Sequence, residues 1–204
     1  MSSVNVPQRP GLTATELRKV LDESSVQILC VGDIHLTDRP PAMCTEGYTD
    51  DILDMLSYVA RLEKAINADA VVWSGDVFHY KQPSRTSHAT VMKLLRVAQQ
   101  YQNLWVVTGN HDISSDRLDS LDKQPLGVLY EAGVLKELVG WHPTLPLYGV
   151  PWQQHWLAPE TPWEALKDFR ALTGAPEDVN PANSLVVTHA PIYPPTVARQ
   201  ALFR

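Results

Sequence analysis

Four short apolar runs punctuate the chain: residues 26–31, 70–73, 104–107 and 185–187. Each is too short for a buried helix and rich in β-branched residues, which predicts strands of an α/β sheet buried on both faces. Between the first two runs, Leu53, Leu56, Val59, Ala60 and Ile66 recur near a 3.6 period and predict a helix over 50–67. Val91, Leu94, Leu95 and Ala98 do the same for a helix over 87–101. Pro40-Pro41 blocks regular structure between His35 and Thr49. Farther along, 125–132 reads as a short helix stopped by Gly133, and 134–138 and 147–150 as strands of a flanking sheet. Capping-box spacings at Thr13-Ala14-Thr15-Glu16 and at Thr161-Pro162-Trp163-Glu164 predict two more helices, the first over 13–22. The pattern predicts an α/β sandwich: one domain over 25–204, preceded by a tail and short helix at 1–24.

A polar block follows each of the four runs: Gly32-Asp33-Ile34-His35, Gly75-Asp76-Val77-Phe78-His79, Gly109-Asn110-His111-Asp112 and Thr188-His189-Ala190. Parallel strands deliver such residues together at their carboxyl ends, the edge where open α/β sheets place ligands. Asp, Asn and His suit divalent ions such as Mn²⁺, Fe²⁺ or Zn²⁺. Asp33 and His35 lie two apart and share a side if the strand runs on through them. Asp76 can bridge two ions through its two oxygens, and Asn110 can offer its amide oxygen. His111 can contact a phosphate and protonate a leaving oxygen, while Asp112 can hold the His111 ring by accepting its other N–H. His189 sits between a strand and Pro191, at an exposed sheet edge. A turn Asp, a helix-capping Asn or a surface His explains any one block, but not four together. His88, His142 and His155 fall outside the blocks and read as surface or core polar groups, and the Trp residues as packing groups.

Apolar residues at 44% and charged residues at 20% describe an ordinary globular chain. No apolar run approaches the ~20 residues of a membrane helix, and the polar start lacks the apolar stretch of a secretory signal. A cytoplasmic protein with no membrane partner is the expectation. Of the two cysteines, Cys30 lies in a predicted buried strand and reads as a reduced thiol. A net charge of −6 argues against a uniformly basic nucleic-acid surface. A local basic strip from Arg39, Lys81 and Arg85 is compatible with it, because bound cations reverse the charge of an acidic site.

The four blocks resemble the calcineurin-like metallophosphoesterase superfamily, whose pattern runs Asp-x-His, Gly-Asp, Gly-Asn-His and then His. Gly75-Asp76-Val77-Phe78-His79, with Pro83-Ser84 shortly after, is similar to the SbcD-type DNA repair nucleases within it. The resemblance covers about Val26 to Pro191. It implies two facing mixed sheets flanked by helices, and a cofactor of two divalent ions, Mn²⁺ first, with Fe²⁺, Zn²⁺ or Mg²⁺ as alternatives. Asp33 and His35 would bind one ion, Asp76 would bridge, and Asn110 and His189 would bind the second. His111 would protonate or contact the phosphate ester, with His79 assisting. DNA is the implied substrate, and an SbcC-like coiled-coil ATPase and a second copy of the chain are the implied partners.

The superfamily's last block, Gly-His-x-His, gives one His to each ion and does not follow His189 in this sequence. A C-terminally incomplete domain with weakened activity is the expectation from that departure, a degenerate member the alternative. Besides a DNA nuclease, two readings stay open: a phosphatase or small-molecule phosphodiesterase on the same metal core, and a non-catalytic binding module that has kept only the fold.

Overall fold

The structure is a computed structural model that describes residues 26–41, 44, 47–114, 118–152 and 183–189. The helices expected over 13–22 and from Thr161, together with His155, lie outside the described residues.

Strands β1 (Ile28–Val31), β2 (Ala70–Trp73), β3 (Leu104–Val106) and β4 (Lys136–Glu137) form one sheet in the order β1-β2-β3-β4. All its pairings are parallel. Helices α1 (Tyr48–Ile66) and α2 (His88–Ala98) connect β1 to β2 and β2 to β3, and α3 (Pro125–Glu131) precedes β4. The second sheet is mixed: β5 (Gly140–Trp141) runs antiparallel to β6 (Leu147–Val150), and β6 runs parallel to β7 (Leu185–Thr188). The expected architecture of two sheets flanked by helices is the one observed, with the larger sheet wholly parallel among the described residues.

Alternation along β2 assigns its two faces. Val71 and Trp73 join Leu104 and Val106 of β3 in the core beneath the helices, against Leu53 and Leu56 of α1 and Val91 and Leu94 of α2. Val72 points the other way and packs with Val107, Leu138, Leu147 and Val187 between the two sheets. Both faces of β2 are therefore dry, and each fully buried side chain contributes about 1.5–3 kcal/mol. β1 is different. Among the described residues it is an edge strand of this sheet, only partly buried, and Cys30 is exposed. The expectation of a buried Cys30 fails because a parallel sheet covers its central strands, not its edges.

The helices begin and end where local chemistry allows. α2 starts at the Ser87 cap, whose hydroxyl oxygen accepts from the Thr90 N–H at 3.2 Å. α1 ends at Asn67, whose left-handed backbone (φ 55°) turns the chain toward β2. Glu63 of α1 is completely buried, and its carboxylate accepts the Gln102 and Asn103 N–H groups at 3.0 and 2.9 Å. That contact ties α1 to the chain leading into β3. Two short 3₁₀ turns (Pro83–Arg85 and Leu118–Lys123) and β5 have no counterpart in the sequence pattern. β4 is shorter than the expected 134–138 strand, because only Lys136 and Glu137 pair with β3.

Candidate metal centre

The four polar blocks emerge at the carboxyl ends of β1, β2, β3 and β7, and inter-loop hydrogen bonds carry the strand pairing on past those ends. The Ser74 N–H donates to the Val31 carbonyl at 2.9 Å, and the His35 N–H to the Asp76 carbonyl at 2.8 Å. Leu36 then bridges Phe78 in parallel fashion. The Trp152 N–H donates to the Thr108 carbonyl at 2.9 Å, joining the second sheet to the first at this edge.

The backbone here is far from regular. Asp33, His35 and Asp76 adopt left-handed conformations, with φ of 43°, 47° and 49°. β1 ends at Val31, so Asp33 and His35 do not share a side by strand alternation. Two left-handed residues flanking buried Ile34 bring both to the same cavity instead. Such non-glycine conformations cost about 1–3 kcal/mol each and persist only where the surroundings enforce them. Two glycines make room. A Cβ on Gly75 (φ +101°) would lie 2.5 Å from His189 Nδ1, and one on Gly109 would overlap the backbone nitrogen of Asp76.

Asp33, His35, Asp76, Asn110 and His189 all line one cavity of about 490 Å³, with Ser74, Trp152 and Thr188 completing its wall. One ligand atom each from Asp33, Asp76 and His189 fall within 4.8 Å of one another. His189 Nδ1 lies 2.8 Å from the Ser74 carbonyl oxygen, which can only accept, so Nδ1 carries the hydrogen. His189 Nε2 then faces oxygens alone: Asn110 Oδ1 at 3.0 Å and Asp76 Oδ1 at 3.3 Å. An imidazole nitrogen aimed at two oxygens holds a proton or a cation. On its other side, Asp76 Oδ2 lies 3.6 Å from His35 Nε2. The two oxygens of Asp76 thus address two different imidazoles. This donor set of carboxylate oxygens, an amide oxygen and imidazoles fits divalent first-row ions.

The electrostatics follow this geometry. Burial pulls the His189 imidazole down, but the Asp76 carboxylate, the Ser74 carbonyl and Asp33 outweigh it and leave its pKa above the usual histidine value. Burial works to raise Asp76 as well. It loses to the His189 hydrogen bond, to the His111 N–H donated at 2.8 Å and to the histidine charges, so Asp76 stays below the usual carboxylate range. His35 is pushed down, chiefly by burial and against the pull of Asp76.

His111 and His79 stand beside His35, with ring centroids 5.0 and 5.5 Å from it. His111 Nδ1 meets the His79 carbonyl oxygen at 2.5 Å. The expected Asp112–His111 ring contact is therefore replaced by a main-chain one. Asp112 is fully buried, and its two oxygens accept the Phe78 and Gly109 N–H groups at 3.1 and 3.0 Å. Burial pushes its carboxyl up to about 6. Asp112 clamps the second block to the third, and its expected contact with the His111 ring is not made. Ser74 and Trp152 carried no readable signal: the first acts through its main chain, and the second is brought in by the second sheet. His142 is buried, accepts the Thr144 and Leu145 N–H groups on Nδ1 and packs on Trp105, which makes it a turn-holding residue.

The model of the calcineurin-like phosphoesterase family matches residues 26–203. The chain belongs to that family. Metal-dependent phosphoester hydrolysis is the reaction of that family, and the chain carries candidate ligand groups for its divalent ions. No curated protein matches the chain. Among solved structures, Pseudomonas putida nuclease MPE matches at 21% identity with a TM-score of 0.37, over 62% of this chain and 55% of that one. The chain thus aligns with little more than half of that nuclease, and a likeness of this extent bears on neither substrate nor mechanism. No helix among the described residues is long and apolar enough to cross a membrane.

Proposed function

We propose that this metallophosphoesterase hydrolyses phosphodiester bonds in DNA at a dinuclear site held by Asp33, His35, Asp76, Asn110 and His189. The observation that carries the reading is the pair of Asp76 oxygens, one toward His189, whose Nε2 also meets Asn110 Oδ1, and the other toward His35. Asp76 would be shared between the two ions, Asn110 and His189 would hold one, and Asp33 and His35 would hold the other, Mn²⁺ being the expected metal. The ions, when bound, neutralise phosphate charge and make water a better nucleophile.

The remaining work falls to the protein. The Ser74 carbonyl keeps the His189 hydrogen on Nδ1, which leaves Nε2 for coordination. The His79 carbonyl does the same for His111. A proton carried on His111 Nε2 is then the one available to the leaving oxygen. Two features support DNA over a small phosphate ester. The Arg85 guanidinium lies 4.4 Å from the Tyr80 ring centroid, and Tyr80 stands edge-on to His79 at 4.7 Å. A cation and an aromatic face leading away from the site match the phosphate and base of a nucleic-acid strand.

The test compares Mn²⁺-dependent cleavage of linear DNA with hydrolysis of an aryl phosphodiester in the native chain and in Arg85→Ala. The reading predicts that Arg85→Ala loses DNA cleavage, most clearly at low salt and with a shallower salt dependence than the native chain, while aryl ester turnover persists. Turnover of small esters with no DNA cleavage by the native chain would instead favour the small-molecule phosphodiesterase.

A further inference from the structure

The ligand-bearing side chains at the sheet edge fall into two groups that differ in chemistry. One contains Asp33, Asp76 and His189; the other consists of His35, His79 and His111, one ring nitrogen of each lying within 4.8 Å of those of the other two. The second group has no carboxylate. Its ring centroids are separated by 5.0 Å (His35–His111), 5.5 Å (His35–His79) and 6.0 Å (His79–His111). Three imidazoles around one tetrahedral Zn²⁺, with Zn–N of about 2.0–2.1 Å, place their centroids about 5 Å apart. The rings therefore stand about 1 Å or less from a closed three-imidazole site.

Two further observations point to a cation. The His79 carbonyl accepts from His111 Nδ1, which fixes the tautomer and presents the Nε2 lone pair, as an outer partner does for a metal-bound histidine. His35 Nδ1 is buried without a hydrogen-bond partner, so no second bond fixes that ring against turning toward its neighbours. All three rings are half-buried, shielded yet reachable by an ion. An all-imidazole set selects Zn²⁺, Cu²⁺ or Ni²⁺ over the oxygen-seeking Mn²⁺ and Mg²⁺.

We propose that His35, His79 and His111 form a separate, inhibitory site for a borderline transition-metal ion, with Zn²⁺ as its tetrahedral match. His35 belongs to this group and also faces Asp76 Oδ2 at 3.6 Å. One imidazole cannot serve both, so an ion seated on the three rings withdraws His35 from the carboxylate site and occupies the His111 nitrogen that faces the substrate. The inhibitory consequence rests on the dinuclear reading above; the existence of the Zn²⁺ site does not.

Equilibrium dialysis of the full chain, counting Zn²⁺ and Mn²⁺ per chain by elemental analysis, tests the proposal. The native chain is expected to hold one Zn²⁺ more than His79→Gln. His111→Gln should lose the same equivalent, and circular dichroism should show all chains folded. Asp33→Asn should keep that extra Zn²⁺, and Co²⁺ in its place should give the strong visible absorption of tetrahedral coordination. Equal Zn²⁺ content in native, His79→Gln and His111→Gln chains would overturn the proposal, as would its loss in Asp33→Asn alone. The dinuclear reading fails separately, by undiminished Mn²⁺ uptake in Asp33→Asn.

Discussion

The centre of the parallel sheet and its carboxyl edge are built from the same strands by opposite rules. In β2, residues 70–73 are completely buried, paired on both sides and split cleanly between two apolar cores. Immediately beyond β2, Gly75 and Asp76 are left-handed, Asp76 is a buried carboxylate, and two imidazoles crowd its oxygens. A strained, charged edge holds its shape because a rigid body fixes where each loop begins. The dividing line runs between Trp73 and Gly75, two residues apart. Changes on one side should unfold the protein without altering the chemistry of what remains folded. Those on the other should abolish chemistry and leave the body standing.

The largest expected effect is on the edge. Asp76→Ala should reduce Mn²⁺-dependent phosphodiester hydrolysis to background, because on the proposed dinuclear reading both ions would lose their shared ligand. The same change strands the His111 N–H, at about 1–3 kcal/mol, a loss the body should survive with its circular dichroism intact. Robust activity in that variant would erase the distinction. In the body, Trp73→Ala should cost about 3–5 kcal/mol by leaving a cavity beneath the helices. Chemical denaturation reads that loss, and the specific activity of the folded fraction should match the native value.

His111→Gln sharpens the comparison within the edge itself. Turnover should fall by roughly 10²–10⁴-fold, the usual share of a general acid, with Mn²⁺ content unchanged. Loss of Mn²⁺ in this variant would move His111 into the ligand set. The smallest effect tests the strain directly. Asp33→Gly, at φ 43° and with an exposed side chain, should raise metal-free stability by about 1 kcal/mol while weakening Mn²⁺ binding. A destabilised metal-free variant would show that Asp33 is held by something other than the backbone around it.

Much of this was readable in the sequence, for reasons that also mark the limits. Asp33, His35, Asp76, Asn110 and His189 were legible because metal-ligand residue types stood right after apolar runs, and sheet topology does bring those ends to one cavity. The helices α1 and α2 were legible from their period, and Ser87 marked the start of α2. The mirror-image backbone at Asp33 and His35 was not, since neither residue type announces φ > 0. Strand alternation gave a correct grouping by a wrong route. The Asp112 contact was not legible either, because a carboxylate next to a histidine can hold that ring or the neighbouring main chain. Only the Phe78 and Gly109 amides decide between them. Trp152 and β5 depend on how the second sheet docks, a long-range outcome that no local pattern carries.

Mn²⁺ binding to the full chain as a function of pH tests the central claim most directly. Below its raised pKa, itself above the ordinary 6.5, His189 carries a proton on Nε2, the nitrogen turned toward Asp76 and Asn110. Mn²⁺ must displace that proton, so affinity should rise with pH through this value and fall away below it, with proton release on binding. Asp76, held below the usual carboxylate range, stays ionised throughout, and Asp76→Ala should take up no Mn²⁺ at any of these pH values. Uptake that is independent of pH, or undiminished in Asp76→Ala, would contradict the claim that the strand ends meet at a metal centre.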